Sequence, residues 1–196
     1  QGSNFFWIAC SIATALFLFG IPAAAHHPWE GQQGSFSLLQ GFVSGLAHPI
    51  IGLDHFFFLI SVGLVGGVSS LRWVPILLCC GLVGSTLAQG MPFLPISEAV
   101  MGISLVAAAF VALGRLQPFW MVPLIACHGY VLGQSMVGAE QSPLIAYLIG
   151  LLISEAILII TSTRLLRSYL VNRGIFAGIL IGTGIAITYS SLVGMG

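Results

Sequence analysis

The chain has 196 residues, a mean hydropathy of +1.08 and charged side chains at only 5% of its positions. A soluble domain carries about a quarter charged residues, so this composition excludes a soluble globular protein and predicts an all-α integral membrane protein. The formal net charge is zero, so no basic patch for nucleic acid is expected. The chain has no lysine, which excludes chemistry through a lysine Schiff base.

The N-terminal part contains an apolar run from Phe5 to Ile21, followed by Pro22-Ala23-Ala24-Ala25. The alanine-rich end is typical of a signal-peptidase site. We therefore expect residues 1–25 to form either a signal-like segment or a retained N-terminal hydrophobic helix. One membrane domain is expected over residues 26–196, beginning with a polar stretch that contains His26 and His27.

Six further apolar segments are each long enough to span a bilayer, which needs about 20 residues. The first is expected to begin at Pro49, because proline disfavours a helical conformation at the residue before it and suits a first helical turn. The predicted spans are Pro49–Ser69, Trp73–Gly90, Ser97–Leu113, Phe119–Val137, Pro143–Thr163 and Ile175–Val193. The sequence thus predicts a six-helix transmembrane bundle, or seven helices if the N-terminal one is retained.

The arginines predict the orientation of the bundle. All of them fall in the connections that follow the first, third and fifth predicted spans: Arg72, Arg115, Arg164, Arg167 and Arg173. Basic residues are enriched in cytoplasmic loops, so we place these connections in the cytoplasm. The segment with His26 and His27 and the C-terminus are then extracytoplasmic.

Two histidines and a carboxylate lie within eight positions of an apolar run, at His48, Asp54 and His55. An ionisable group inside a membrane is costly, so it marks a candidate functional site. Imidazole nitrogen and carboxylate oxygen are typical ligands of borderline divalent metals such as Ni²⁺ and Co²⁺. On a straight helix the two histidines would lie about 10 Å apart, and a break at Pro49 and Gly52 would bring them closer.

The remaining histidines and buried acids extend this candidate site across the membrane. The predicted metal ligands are His26, His27, His48, Asp54, His55, Glu98, His128 and Glu155. Structural roles stay open for several of these residues as alternatives to metal binding. Asp54 and His55 would also suit an internal pair, His128 and Glu155 a buried hydrogen-bonded pair, and Glu98 a favourable position at a helix N-terminus. The aromatic run 56–58 is interpreted as packing or lipid-facing.

The segment from His48 to His55 resembles the HPxxGxDH signature of the HupE/UreJ family, whose members are bacterial nickel/cobalt permeases with six spans. The resemblance extends over essentially the whole chain, including Leu94-Pro95-Ile96-Ser97-Glu98 at the start of the third span. The segment is also similar to the H-x4-D-H motif of a separate nickel/cobalt transporter family. The resemblance implies a multi-pass protein of the bacterial inner membrane with Ni²⁺ or Co²⁺ as the transported ion.

A second family motif, of the form H-G-x-x-H-G-x-E, corresponds to residues 128–135. His128, Gly129 and Gly133 match it, whereas Leu132 and Ser135 stand where the family has a histidine and an acid. A histidine that the family resemblance leads us to expect late in the fifth span is also absent.

Two functions therefore remain open. The favoured one is a permease that captures a divalent metal ion on the extracytoplasmic side and passes it through the bundle. The alternative is a transporter-derived structural or accessory subunit of a larger respiratory or photosynthetic membrane complex, with intramembrane histidines ligating a pigment or haem. An enzyme is not expected, because HPxxGxDH lacks the HExxH arrangement of a metalloprotease, and no nucleotide-binding motif is present.

Overall fold

The computed structural model describes residues 2–20, 37–68, 70–92, 96–134, 136–137, 141–168 and 173–194. These residues form eight α-helices and two 3₁₀ turns, and no β-strand occurs among them, which agrees with the predicted all-α class. The helices are α1 Gly2–Gly20, α2 Leu38–Ile51, α3 Leu53–Val68, α4 Trp73–Leu87, α5 Ser97–Ala112, α6 Met121–Gln134, α7 Gln141–Ser168 and α8 Arg173–Gly194. The 3₁₀ turns are Ala88–Gly90, after α4, and Pro118–Trp120, before α6.

The break predicted at His48 and Pro49 is wrong, because α2 continues through both residues to Ile51. The chain turns instead at Gly52, which has extended backbone angles (φ −74°, ψ 101°), and the two helical segments meet at 77°. Pro49 falls in the last turn of α2, where its missing N–H removes a single helical hydrogen bond. The bias of a residue before proline is weak enough for packing to override it.

The start of α2 is specified locally. Ser37 and Gln40 form a capping box, in which the Gln40 N–H donates to Ser37 Oγ at 3.2 Å and the Ser37 N–H donates to Gln40 Oε1 at 2.8 Å. Such reciprocal bonds satisfy two backbone donors that a helix start leaves without intrahelical partners. The other end of α2 closes on the turn, since the Gly52 N–H donates to the His48 carbonyl at 3.1 Å.

Among the described helices, three are long and apolar enough to cross a membrane: Trp73–Gly90, Gln141–Arg164 and Arg173–Val193. The bent pair of α2 and α3 makes a fourth if it is counted as one span. Segments Phe5–Thr14 and Ser97–Ala112 are apolar but shorter. The described helices are thus those of a membrane protein, while the count of six spans stays a prediction.

The helices pack in pairs: α2 lies along α7, α1 along α8, α4 along α6, and α5 along α8, with α3 contacting both α5 and α7. Between them lies a fully buried apolar cluster that includes Phe58, Leu77, Leu105 and Ile125. Large apolar side chains also cover the outside of the helices, as at Ile157, which is 58% exposed. Such an outer surface suits contact with lipid rather than water.

The crossing of α4 and α6 brings two backbones into close contact through small residues. A Cβ atom added at Gly129 would collide with the carbonyl of Gly81, and one added at Gly84 would collide with the carbonyl of Ala126. Ser85 Oγ also donates to the Gly129 carbonyl at 2.7 Å. Small residues and interhelical hydrogen bonds are the usual means of helix association in membranes. This crossing fixes the position of α6, which carries His128.

Candidate functional site

Three of the predicted site residues meet inside the bundle. His48 of α2, His55 of α3 and His128 of α6 form a continuous series of imidazole rings, here named the histidine row. The ring centroids of His48 and His55 are 5.4 Å apart, and those of His55 and His128 are 5.7 Å apart. The three residues are buried, with 6%, 2% and 2% of their surfaces exposed. The bend at Gly52 makes the first of these contacts possible.

Aromatic rings flank both ends of the histidine row. Phe58 stacks on His128, with ring centroids 3.5 Å apart and planes inclined by only 7°. Tyr147 of α7 meets His48 edge-on at 6.3 Å, and its hydroxyl donates to the Leu132 carbonyl at 2.7 Å. Because Phe58 belongs to the buried apolar cluster, the row ends against densely packed apolar side chains.

The two nitrogens of His128 have different surroundings. Nδ1 lies 3.1 Å from Ser104 Oγ and 3.4 Å from the Leu124 carbonyl oxygen. Nε2 is buried and has no hydrogen-bond partner among the described residues. A buried polar atom without a partner costs about 1–3 kcal/mol, so its retention calls for a functional explanation.

His55 also has one nitrogen without a partner. Its Nδ1 makes no hydrogen bond to any described residue, whereas its Nε2 lies 3.9 Å from Asp54 Oδ2. That distance exceeds a hydrogen bond, so the carboxylate acts on the ring through charge alone. The Asp54 side chain is 20% exposed and is thus less enclosed than the imidazole.

Gly52 provides space for the side chains of Asp54 and His55. A Cβ atom at this position would lie 2.6 Å from His55 Cδ2 and 3.1 Å from Asp54 Oδ1. Any side chain here would therefore displace the imidazole of His55. The glycine of the HPxxGxDH pattern thus turns the chain and leaves room for the histidine that ends the pattern.

The other predicted ligands lie apart from the row or outside the described residues. Glu155 of α7 is buried at 1% exposure, and its Oε2, which has no partner in the described part of the chain, faces Gly81 at the α4–α6 crossing. Glu98 is exposed in the first turn of α5. His26 and His27 lie outside the described residues.

The described residues contain no group of three or more His, Cys, Asp or Glu side chains arranged to hold one metal ion. The histidine row is therefore a series of neighbouring nitrogen atoms and not a closed cage around a single point. A closed set of three or four protein ligands is typical of a resident structural or catalytic metal. A series of incomplete sites is the arrangement expected for an ion that enters and leaves.

Two contacts of the row were not predicted from the sequence. Ser104 donates to the Met101 carbonyl at 2.7 Å while its oxygen contacts His128, and a serine within an apolar span was the only available signal. Phe58 was interpreted only as packing or lipid-facing. Its position three residues after His55 places both on one face of α3, which could have associated it with the histidines.

A sequence model of the family described as HupE / UreJ protein matches residues 14–193. The chain belongs to the HupE/UreJ family. The match covers nearly the whole chain, confirms the resemblance of the His48–His55 segment, and includes every member of the histidine row. This family is one of transporter or accessory proteins associated with nickel and cobalt, and it is not an enzyme family. Comparisons with curated proteins and with solved structures gave no match.

Proposed function

We propose that this HupE/UreJ protein is a permease for a divalent transition metal ion, Ni²⁺ or Co²⁺, in the bacterial cytoplasmic membrane. The observation that carries the proposal is the histidine row, which consists of three buried imidazoles from three helices. The centroids of neighbouring rings are 5.4 Å apart for the first pair and 5.7 Å apart for the second. Two of these rings, His55 and His128, retain a nitrogen without a partner in the described structure. Imidazole is a preferred ligand of both ions.

The proposed route begins on the extracytoplasmic side. His26 and His27 capture the hydrated ion, and His48 with Asp54 receives it at the start of the row. His55 and then His128 bind it in turn. A bond between a metal and an imidazole nitrogen is about 2.0–2.1 Å long, so neighbouring rings at these separations allow the ion to bind one nitrogen before it leaves the other.

Glu155 is the proposed next ligand after His128. Its carboxylate faces Gly81, and Gly81 packs against Gly129, the residue next to His128. A buried oxygen ligand at this place would accept the ion before it reaches the cytoplasmic half of the bundle. Glu98 is exposed, and none of the described contacts joins it to the histidine row, so its role as a ligand stays a prediction.

The proposed topology has six spans, with the arginine-bearing connections in the cytoplasm. Among the described residues, Arg72 lies directly before α4 and Arg115 three residues after the end of α5, while Arg164 lies in the C-terminal part of α7 and Arg173 at the start of α8. This placement of basic residues beside helix ends supports the orientation by the positive-inside rule. With no nucleotide-binding motif in the sequence, the membrane potential or a coupled ion would drive uptake.

The decisive test is metal uptake by purified protein in liposomes. We expect His55→Ala to abolish uptake of Ni²⁺ and Co²⁺, because it removes the central imidazole of the row. Phe56→Ala is the matched control: it changes the neighbouring residue of α3, which is only partly buried, and should leave uptake nearly unchanged. Equal uptake by the parent protein and His55→Ala would refute the proposed route. A pigment or haem absorption band in natively purified protein would favour the structural-subunit function instead.

A further inference from the structure

The hydrogen atoms around His128 can be assigned from donor and acceptor chemistry. A serine hydroxyl has a single hydrogen, and Ser104 donates its hydrogen to the Met101 carbonyl at 2.7 Å. Towards His128 Nδ1, 3.1 Å away, the Ser104 oxygen can then act only as an acceptor. With the hydroxyl hydrogen directed at the Met101 carbonyl, the hydrogen of this contact is assigned to Nδ1.

The Leu124 carbonyl oxygen leads to the same assignment independently. It lies 3.4 Å from His128 Nδ1, and a carbonyl oxygen can only accept. Both neighbours of Nδ1 thus require an N–H there. A neutral imidazole has one N–H, so Nε2 keeps an exposed lone pair, and this is the atom that lacks a hydrogen-bond partner among the described residues.

Packing fixes the plane of the His128 ring, in which this lone pair lies. Phe58 lies parallel to the His128 ring at a centroid distance of 3.5 Å and an angle of 7°. Rotation of the imidazole about its bond to Cβ would drive the ring into Phe58, and both side chains are almost fully buried. Phe58 therefore sets the plane of the His128 ring, while Ser104 and the Leu124 carbonyl select the ring flip that faces Nδ1 to them and, with it, the tautomer.

We infer that Ser104 is a positioning residue, which holds His128 as the Nδ1-protonated tautomer so that Nε2 offers its lone pair to a borderline divalent cation. The identity of that cation rests on the proposed function, whereas the tautomer does not. Groups that bond the second nitrogen of a metal-binding histidine commonly fix its tautomer and raise its basicity. Ser104 would act in this way on His128 without touching the ion.

His55 completes the site that Ser104 prepares. Its unpartnered atom is Nδ1, and the negative charge of Asp54 lies on the side of Nε2, at 3.9 Å. The carboxylate favours the N–H on Nε2 and leaves the lone pair on Nδ1. His55 and His128 are thus neighbours, with ring centroids 5.7 Å apart, and each keeps one nitrogen lone pair without a partner among the described residues.

The tautomer can be measured without metal by ¹⁵N NMR of histidine-labelled protein in lipid nanodiscs. The signals of His128 are identified by their loss in His128→Gln. We expect the Nδ1-protonated tautomer in the parent protein and an increased share of the other tautomer in Ser104→Ala, where the more distant Leu124 carbonyl is the only remaining acceptor. Ser104→Thr keeps the hydroxyl and should restore the tautomer of the parent protein.

The same variants are then titrated with Co²⁺. We expect Ser104→Ala to weaken Co²⁺ binding by about 10-fold or more, the usual effect of losing such a partner, and Ser104→Thr to recover most of it. Ser61→Ala is the matched control, because Ser61 is also fully buried and also donates to the carbonyl three residues earlier, that of Phe58 at 2.6 Å. Among the described contacts Ser61 touches no imidazole, so the Co²⁺ affinity of Ser61→Ala should stay close to that of the parent protein.

Three results would overturn the inference. One is an Nε2-protonated His128 in the metal-free parent protein. Another is a loss of Co²⁺ affinity in Ser104→Ala no larger than that in Ser61→Ala. The third is an unchanged tautomer in Ser104→Ala, which would overturn the assignment of the tautomer to Ser104. If the parent protein shows the expected tautomer and Ser104→Ala shifts it, but the parent protein binds no Co²⁺, the proposed metal transport fails while that assignment is upheld.

Discussion

Single residues in this protein have roles that depend on which atom faces which neighbour. His55 and His128 are both imidazoles in an apolar interior, yet the unpartnered nitrogen is Nδ1 in one and Nε2 in the other. Gly52 matters because a Cβ atom there would occupy the space of the His55 ring. A buried site built in this way is sensitive to displacements of less than one carbon–carbon bond length.

Gly52→Ala is expected to reduce metal uptake strongly while the protein still folds. The added Cβ would lie 2.6 Å from His55 Cδ2, and a side chain yields more easily than backbone, so the imidazole should move out of the row. The measurement is Ni²⁺ uptake in liposomes together with the melting temperature in detergent. Gly90→Ala is the control, because a Cβ there meets no atom within 4 Å; a similar loss of uptake in both variants would contradict this role of Gly52.

At the scale of elements, the row is assembled by helix contacts rather than by any one helix. The bend between α2 and α3 brings His48 to His55, and the position of α6 brings His128 to the same place. The α4–α6 crossing holds α6 through backbone contacts that admit no side chain at Gly129. Stability and site geometry are therefore coupled at this crossing.

Gly129→Ala is expected to lower stability by about 1–3 kcal/mol, the usual cost of inserting a methyl group into a packed interior. The new Cβ would collide with the backbone carbonyl of Gly81, so the helices must separate. Thermal unfolding in detergent measures the effect. Gly81→Ala on the facing helix is the matched variant, since its Cβ would meet side chains and no backbone, Ile125 at 3.4 Å and Glu155 Oε2 at 3.6 Å. An equal loss of stability in both variants would argue against this account.

At the scale of the whole molecule, the topology of the helices across the bilayer determines how an ion reaches the histidine row. Three described helices have the length and composition of spans, or four with the bent pair, and six spans with cytoplasmic arginines are proposed. This topology places successive connections on opposite sides of the membrane. It also fixes the side from which the ion reaches His48.

Cysteine labelling tests this topology in a chain whose native cysteines are replaced by alanine. Gln117 lies in the connection near Arg115 and Ser142 lies at the start of α7, and both are exposed. A membrane-impermeant thiol reagent added to spheroplasts should label Ser142→Cys but not Gln117→Cys. Labelling of Gln117→Cys in intact spheroplasts would show that this connection is not cytoplasmic.

The sequence by itself determined the membrane class, the helical segments and the family. The hydropathy and the length of an apolar segment are given by the order of residues along the chain. Each of the helices α4 to α8 therefore corresponds to a predicted span. The HPxxGxDH pattern pointed to His48, Asp54 and His55, and the family match over residues 14–193 agrees with it. The position of the break was missed, because the local preference of Pro49 competes with packing that a sequence does not display.

Only the tertiary structure decided how the candidate ligands relate to one another. On a straight helix His48 and His55 would be about 10 Å apart, but the bend at Gly52 brings their rings to 5.4 Å. His128 reaches them from α6, Phe58 stacks on it from α3, and Ser104 reaches it from a further helix, α5. These contacts join residues up to 73 positions apart, as between His55 and His128. Their geometry follows from how close small residues let the helix backbones come.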